Sequence, residues 1–320
     1  MNEGPRHSPS FLDSLRRRPQ PHSGFTLLEL LVAIAVLGLI LSLMAAILQQ
    51  SQKQALDSTR RTQAQATGRA VLDRIEQDIQ SMAATGGATL IVGQSPDQLN
   101  DALAFLCFSA SINNDATYAN MRMAAVYYAI QTNPPAVTGS GDSPALIRGL
   151  GPLNWDSTNG DPMTVLAAIA GDASSSTSNT TIATDHTPVG RGVIRFAVTL
   201  QLQNGSLMPN DPTQSNFPKS TAFTRALPSS PTFVAVNLSQ VKAITISLAL
   251  LDSQTRAQVS SSLNSIAQKF VTPTYSNSLT SPTPSPCTLW LAALTPTTFS
   301  TYPPSVCQYT QLIERTIVLH

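Results

Sequence analysis

Between Phe25 and Leu48 the chain runs 24 residues with one charge, Glu29, and no proline. As a helix this stretch is about 36 Å long at about 1.5 Å per residue. That is enough to cross a hydrocarbon core of about 30 Å with some tilt. A carboxylate in such a segment costs about 2.5–3.5 kcal/mol at the bilayer centre, so Glu29 marks function rather than packing. It stands fifth in the run, near the cytoplasmic boundary for a helix entering from that side. A cleaved secretory signal has an apolar region of about 7–15 residues. This run is longer, and 24 mostly polar residues precede it. A plain membrane anchor fits the hydrophobicity but leaves Gly24 and Glu29 unexplained.

Charge sets the orientation. Residues 1–24 carry Arg6, Arg16, Arg17 and Arg18 against Glu3 and Asp13, and three of the arginines sit just before the apolar run. The positive-inside rule then puts the N-terminus in the cytoplasm and the long C-terminal part outside. With Pro5, Pro9, Pro19 and Pro21, the leader has no packing pattern. Over the whole chain charged residues are only 12%, against the usual quarter, and net charge is +1. That gives no global electrostatic case for a nucleic-acid or acidic partner.

Gly24-Phe25-Thr26-Leu27-Leu28-Glu29 resembles the processing site of type IV prepilins and pseudopilins. The resemblance implies cleavage after Gly24 by a prepilin peptidase and N-methylation of the new terminus at Phe25. It also implies an assembly role for Glu29 within a filament of pilins or pseudopilins, built by an inner-membrane platform. The chemistry is physically reasonable. Glycine lets a peptidase approach its carbonyl closely. Cleavage creates an ammonium group at Phe25, and Glu29 of a neighbouring subunit can neutralise it, so two charges costly in lipid cancel.

Past Leu48 the chain turns polar but keeps a helical pattern. From Gln49 to Ala84 there is no proline and one glycine, Gly68. Leu72, Ile75, Ile79 and Met82 form an apolar stripe, with Asp73, Arg74, Glu76, Gln77 and Asp78 off it. Gly86-Gly87 ends the pattern. The expected organisation is a leader over 1–24, a transmembrane half-helix over 25–48 and an amphipathic half over 49–85. A strand-rich periplasmic domain follows over 86–320. The fold class is α+β, a long N-terminal helix packed on an antiparallel sheet.

Within the domain, 102–109, 122–131, 145–150, 192–202, 241–252 and 316–320 read as strands. In 192–202, Val193, Arg195, Ala197 and Thr199 alternate with Ile194, Phe196, Val198 and Leu200. Val259, Leu263, Ile266 and Phe270 have helical spacing. Residues 171–190 and 271–286, rich in Ser, Thr, Asn and Pro, read as exposed loops. The segments Val126–Ile130, Leu146–Arg148, Ala243–Leu250 and Arg315–Leu319 are similar in order to those of the J-type minor pseudopilin of type II secretion. That resemblance implies a structural subunit of a secretion pseudopilus. A type IV pilus minor pilin for adhesion or DNA uptake is the alternative.

Sites for other chemistry are sparse. Cys287 and Cys307 would close a loop of about 20 residues, worth about 3 kcal/mol as a disulfide in an oxidising compartment. Cys107, among Phe105, Leu106 and Phe108, reads as a buried small hydrophobe. His186 beside Asp185 has no G-x-S-x-G partner, and no zinc spacing exists, so no enzyme and no cofactor are expected. Asn154, Asp156, Thr158, Asn159, Gly160 and Asp161 loosely resemble the start of a calcium loop, with the glycine one place late and no closing glutamate. The basic residues beyond 84 form no run, so no nucleic-acid footprint is visible.

Overall fold

The computed structural model describes residues 26–82, 90–94, 100–108, 123–131, 144–152, 185–209, 218, 233–270 and 284–319. The chain divides into two compact units, 1–56 and 57–320. Helix α1, Leu27–Gln80, contributes to both. Its 54 residues bear out the single long helix, which ends a few residues short of the Ala84 expected.

In the first unit every described residue is exposed, Leu27 and Leu28 at 81% and 71% among them. By length and composition α1 is able to cross a membrane.

The second unit is built on two antiparallel sheets. The larger runs β5-β4-β3-β2-β1-β8, with β1 Leu90–Gln94, β2 Asp101–Phe108, β3 Met123–Gln131, β4 Ala145–Pro152, β5 Asp185–Arg191 and β8 Phe233–Val236. The smaller runs β10-β9-β6-β7, with β6 Val193–Leu202, β7 Leu207–Pro209, β9 Val241–Leu250 and β10 Gln311–Val318. Among the described residues, four short α-helices lie between β9 and β10: α2 Ser253–Gln258, α3 Leu263–Lys269, α4 Pro286–Ala293 and α5 Ser305–Tyr309. The α+β class with antiparallel sheets is therefore the one the sequence pattern called for.

One core joins α1 to both sheets. Val71, Leu72, Ile75 and Ile79 of α1 pack with Leu103, Phe105, Val126 and Tyr128 of the larger sheet. Phe196, Val198, Ile244, Ile246 and Leu248 of the smaller sheet complete it. A second core lies on the opposite face of the smaller sheet. There Ile194, Ala197 and Ala249 meet Val259, Leu263, Ile266, Phe270, Trp290, Phe299 and Val306. Trp290 and Phe270 sit edge to face at 6.0 Å. All four residues of the expected amphipathic pattern, Val259 to Phe270, are buried here.

The two sheets are stapled by side chains. Asn100 Oδ1 accepts the Phe196 N–H at 3.0 Å and Asp101 Oδ2 accepts the Val198 N–H at 2.7 Å. These bonds satisfy β6 backbone donors that would otherwise be buried without partners.

Three expectations need correction. The alternation in β6 is broken by a register shift between Val193 and Arg195, so Val193 shares the first core with Phe196 and Val198. The Ser/Thr-rich stretch 171–190 is not loop throughout: Asp185 onward is strand β5, paired with β4. A tight turn at Gly192, φ +85°, then carries the chain from β5 in the larger sheet to β6 in the smaller one. The loop 271–286 likewise gives way to α4 at Pro286. Ser285 caps it by accepting the Thr288 N–H, and proline suits the first turn.

Gly192 has a second constraint. A Cβ there would stand 2.5 Å from the Leu251 carbonyl oxygen. Gly192→Ala is expected to cost about 1–3 kcal/mol from the left-handed backbone alone, with the clash adding to it. Urea unfolding of the full chain in detergent, followed by tryptophan fluorescence, measures it.

Candidate functional site

The functional stretch is the start of α1. Thr26 directly precedes the helix, and its Oγ1 accepts the Glu29 N–H at 3.3 Å while its carbonyl accepts the Leu30 N–H at 3.2 Å. Threonine at this position satisfies a helix-terminal donor, and Glu29 in the first turn complements the positive end of the helix dipole. From Leu30 to Leu48 the helix surface is apolar all round, apart from Ser42. A helix apolar all round is a membrane span or the core of a bundle, not an exposed soluble element. Gly38 has nothing within 4 Å of where a Cβ would lie, so in the isolated subunit it leaves a notch on the helix. Gly24, Phe25, the leader and the calcium-like stretch 154–161 lie outside the described residues.

The domain half of α1 is held by charges as well as by burial. Asp78 is buried, and Arg148 on β4 reaches it with Nε to Oδ2 at 2.6 Å and Nη2 to Oδ1 at 3.2 Å. Tyr128 on β3 donates its hydroxyl to the same carboxylate. The sequence reading placed Asp78 off the apolar stripe. It in fact follows Ile75 by three residues and precedes Met82 by four, so it shares their face. A charged residue inside the apolar strand segment ALIRGL was the available signal for its partner.

The network shifts titration in one direction. Burial first, and Asp78 second, hold the Tyr128 phenol well above its usual range. Burial opposes the Arg148 charge, but the Asp78 hydrogen bonds outweigh it and raise its pKa.

The expected Cys287–Cys307 bridge is not formed: all three cysteines are free thiols. The two face different partners. Cys287 lies by the Glu314 carboxylate, which accepts its backbone N–H at 3.4 Å, whereas the Cys307 thiol donates to the Thr295 carbonyl at 3.6 Å. Burial, with Glu314 adding, pushes the Cys287 thiol up to about 12, so little of the attacking thiolate forms. Cys107 is buried as expected, and burial followed by Asp78 pushes it up to about 11.

These raised values fix a sign. The fold retains thiol protons that the unfolded chain releases above about pH 9, so stability is lost as pH rises from about 9 towards 12. The urea midpoint is expected to be lower at pH 10.5 than at pH 8, and Cys107→Ser with Cys287→Ser is expected to narrow that difference.

Asp185 and His186 lie in β5. Among the described residues no group of three or more His, Cys, Asp or Glu is placed to hold a metal.

Comparison with known proteins locates the N-terminal signal. Among solved structures, a type IV-like pilin from Thermus thermophilus aligns at 12% identity, over 79% of this chain and 94% of its own, with a TM-score of 0.33. No curated protein sequence matches. Residues 20–45 match the prokaryotic N-terminal methylation motif, so the chain carries a prepilin-type N-terminus on its apolar helix.

Proposed function

We propose that this protein is a minor pilin-type filament subunit, made as a prepilin and acting as a pseudopilin of a type II secretion system. The observation that carries the reading is the methylation motif over residues 20–45, seated on a helix whose first half is apolar and fully exposed. Prepilin peptidase cuts after Gly24 on the cytoplasmic side, and the Phe25 amine is methylated. The helix holds the subunit in the inner membrane, with the strand domain in the periplasm, until assembly draws it into a filament. The motif is a signal acted on by other enzymes, and the subunit's own work is associative. Two charges make the transfer selective: Glu29 neutralises the Phe25 amine of a neighbour, which neither group achieves alone in lipid.

The secretion reading rests on segment order. VYYAI, LIR and AITISLAL fall in β3, β4 and β9, with β3 and β4 paired. Glu29→Val tests the assembly step. It is expected to leave cleavage at Gly24 intact and to reduce recovery in sheared filaments by about tenfold or more, a loss of roughly 1.4 kcal/mol per subunit contact. Normal recovery of that variant contradicts the pairing.

A further inference from the structure

We infer that residues 57–70 of α1 form a releasable arm, clamped to the domain by the C-terminal residues Tyr309 to Ile313 and able to lift while residues 71–79 stay docked. The two halves of the docked helix are held differently. From 71 to 79 the helix buries Val71, Leu72, Ile75, Asp78 and Ile79. From 57 to 70 it buries only Ala64 and Gly68, the two smallest side chains available. Apolar burial scales with area, so the first half has little of it to hold the helix down.

Polar contacts from the chain's C-terminal end take its place. Tyr309 donates its hydroxyl to Asp57 Oδ1 at 2.5 Å, and Arg60 lies over the same ring at 5.5 Å from its centroid. Gln65 Nε2 donates to Gln311 Oε1 at 3.2 Å. Gly68 lets the helix backbone close onto Ile313, whose terminal methyl fills the space a Cβ would need. Read along both elements, 57 meets 309, 65 meets 311 and 68 meets 313, so the helix and the C-terminal segment run parallel as a strap. At the far end Arg315 bridges Asp73 and Glu76, and the buried Asp78 pair with Arg148 fixes the helix.

Exposed polar contacts contribute little each and compete with water, whereas the pinned end resists release. The arm therefore opens before the helix end does. In the filament reading on which its use rests, the arm lets the helix change its angle to the domain as the subunit leaves the membrane.

The test is amide hydrogen exchange on the full chain in detergent micelles, a readout independent of filament assembly. Asp57→Ala with Arg60→Ala, both on the helix surface, is expected to speed exchange over 57–68 by about tenfold and to leave 71–79 within about twofold of the parent. Tyr309→Phe, which removes only the hydroxyl, is expected to act in the same direction with a smaller effect. Unchanged exchange over 57–68, or an equal rise through 57–79, overturns the inference, because either result means that the helix docks as one unit.

Discussion

Arg148→Met is expected to lower the unfolding free energy of the domain by up to about 3–5 kcal/mol, because it leaves the buried Asp78 carboxylate beside Tyr128 with only the part-exposed Arg74, its Nε 3.6 Å away, as a cationic partner. A typical domain has about 5–15 kcal/mol in hand, so this one change removes a large share. The cost lies in the stranded charge rather than in the lost pair. Replacing the whole group, Asp78→Leu with Arg148→Met and Tyr128→Phe, is therefore expected to recover most of the loss. Urea unfolding of the three forms, read by tryptophan fluorescence, separates the two causes. If the triple variant is no better than Arg148→Met, the stranded-charge account is wrong.

The second large effect is at the proposed processing site, Gly24. Gly24→Val is expected to slow leader removal by about a hundredfold or more, since a branched side chain next to the scissile bond blocks close approach to the carbonyl, and a misplacement of about 1 Å is enough to cost that much. The variant should accumulate in the membrane with residues 1–24 attached. Helix α1 begins at Leu27, beyond the cut, so the domain is expected to fold and resist protease as the parent does. Efficient processing of Gly24→Val contradicts the account of the glycine.

Much of this was legible before any coordinates, for physical reasons. The apolar half of α1 is readable because 24 residues with one charge have few alternatives to a long helix, and Glu29 stands out because charge there is costly if the helix spans a membrane. Strands β2, β3, β4, β6 and β9 are apolar runs bounded by turn residues, and each was found within a residue or two. What escaped depends on long-range partners. Strands β1 and β8 are short and pair with one another across some 140 residues. Strand β5 carries Asp, His, Thr, Pro and Gly, and is a strand only because β4 lies beside it. Asp78 looked like a solvated charge because its position was judged by polarity, while its spacing from Ile75 and Met82 put it on the buried face. The disulfide was argued from loop length and compartment, and neither says where two sulfurs point.

The most direct measurement is the intact mass and N-terminal sequence of the protein recovered from membranes of cells with and without prepilin peptidase. The account predicts a chain beginning at N-methylated Phe25 when the peptidase is present, and the full-length chain when it is absent. A chain that keeps residues 1–24 in both, or one cut beyond Leu48, contradicts it.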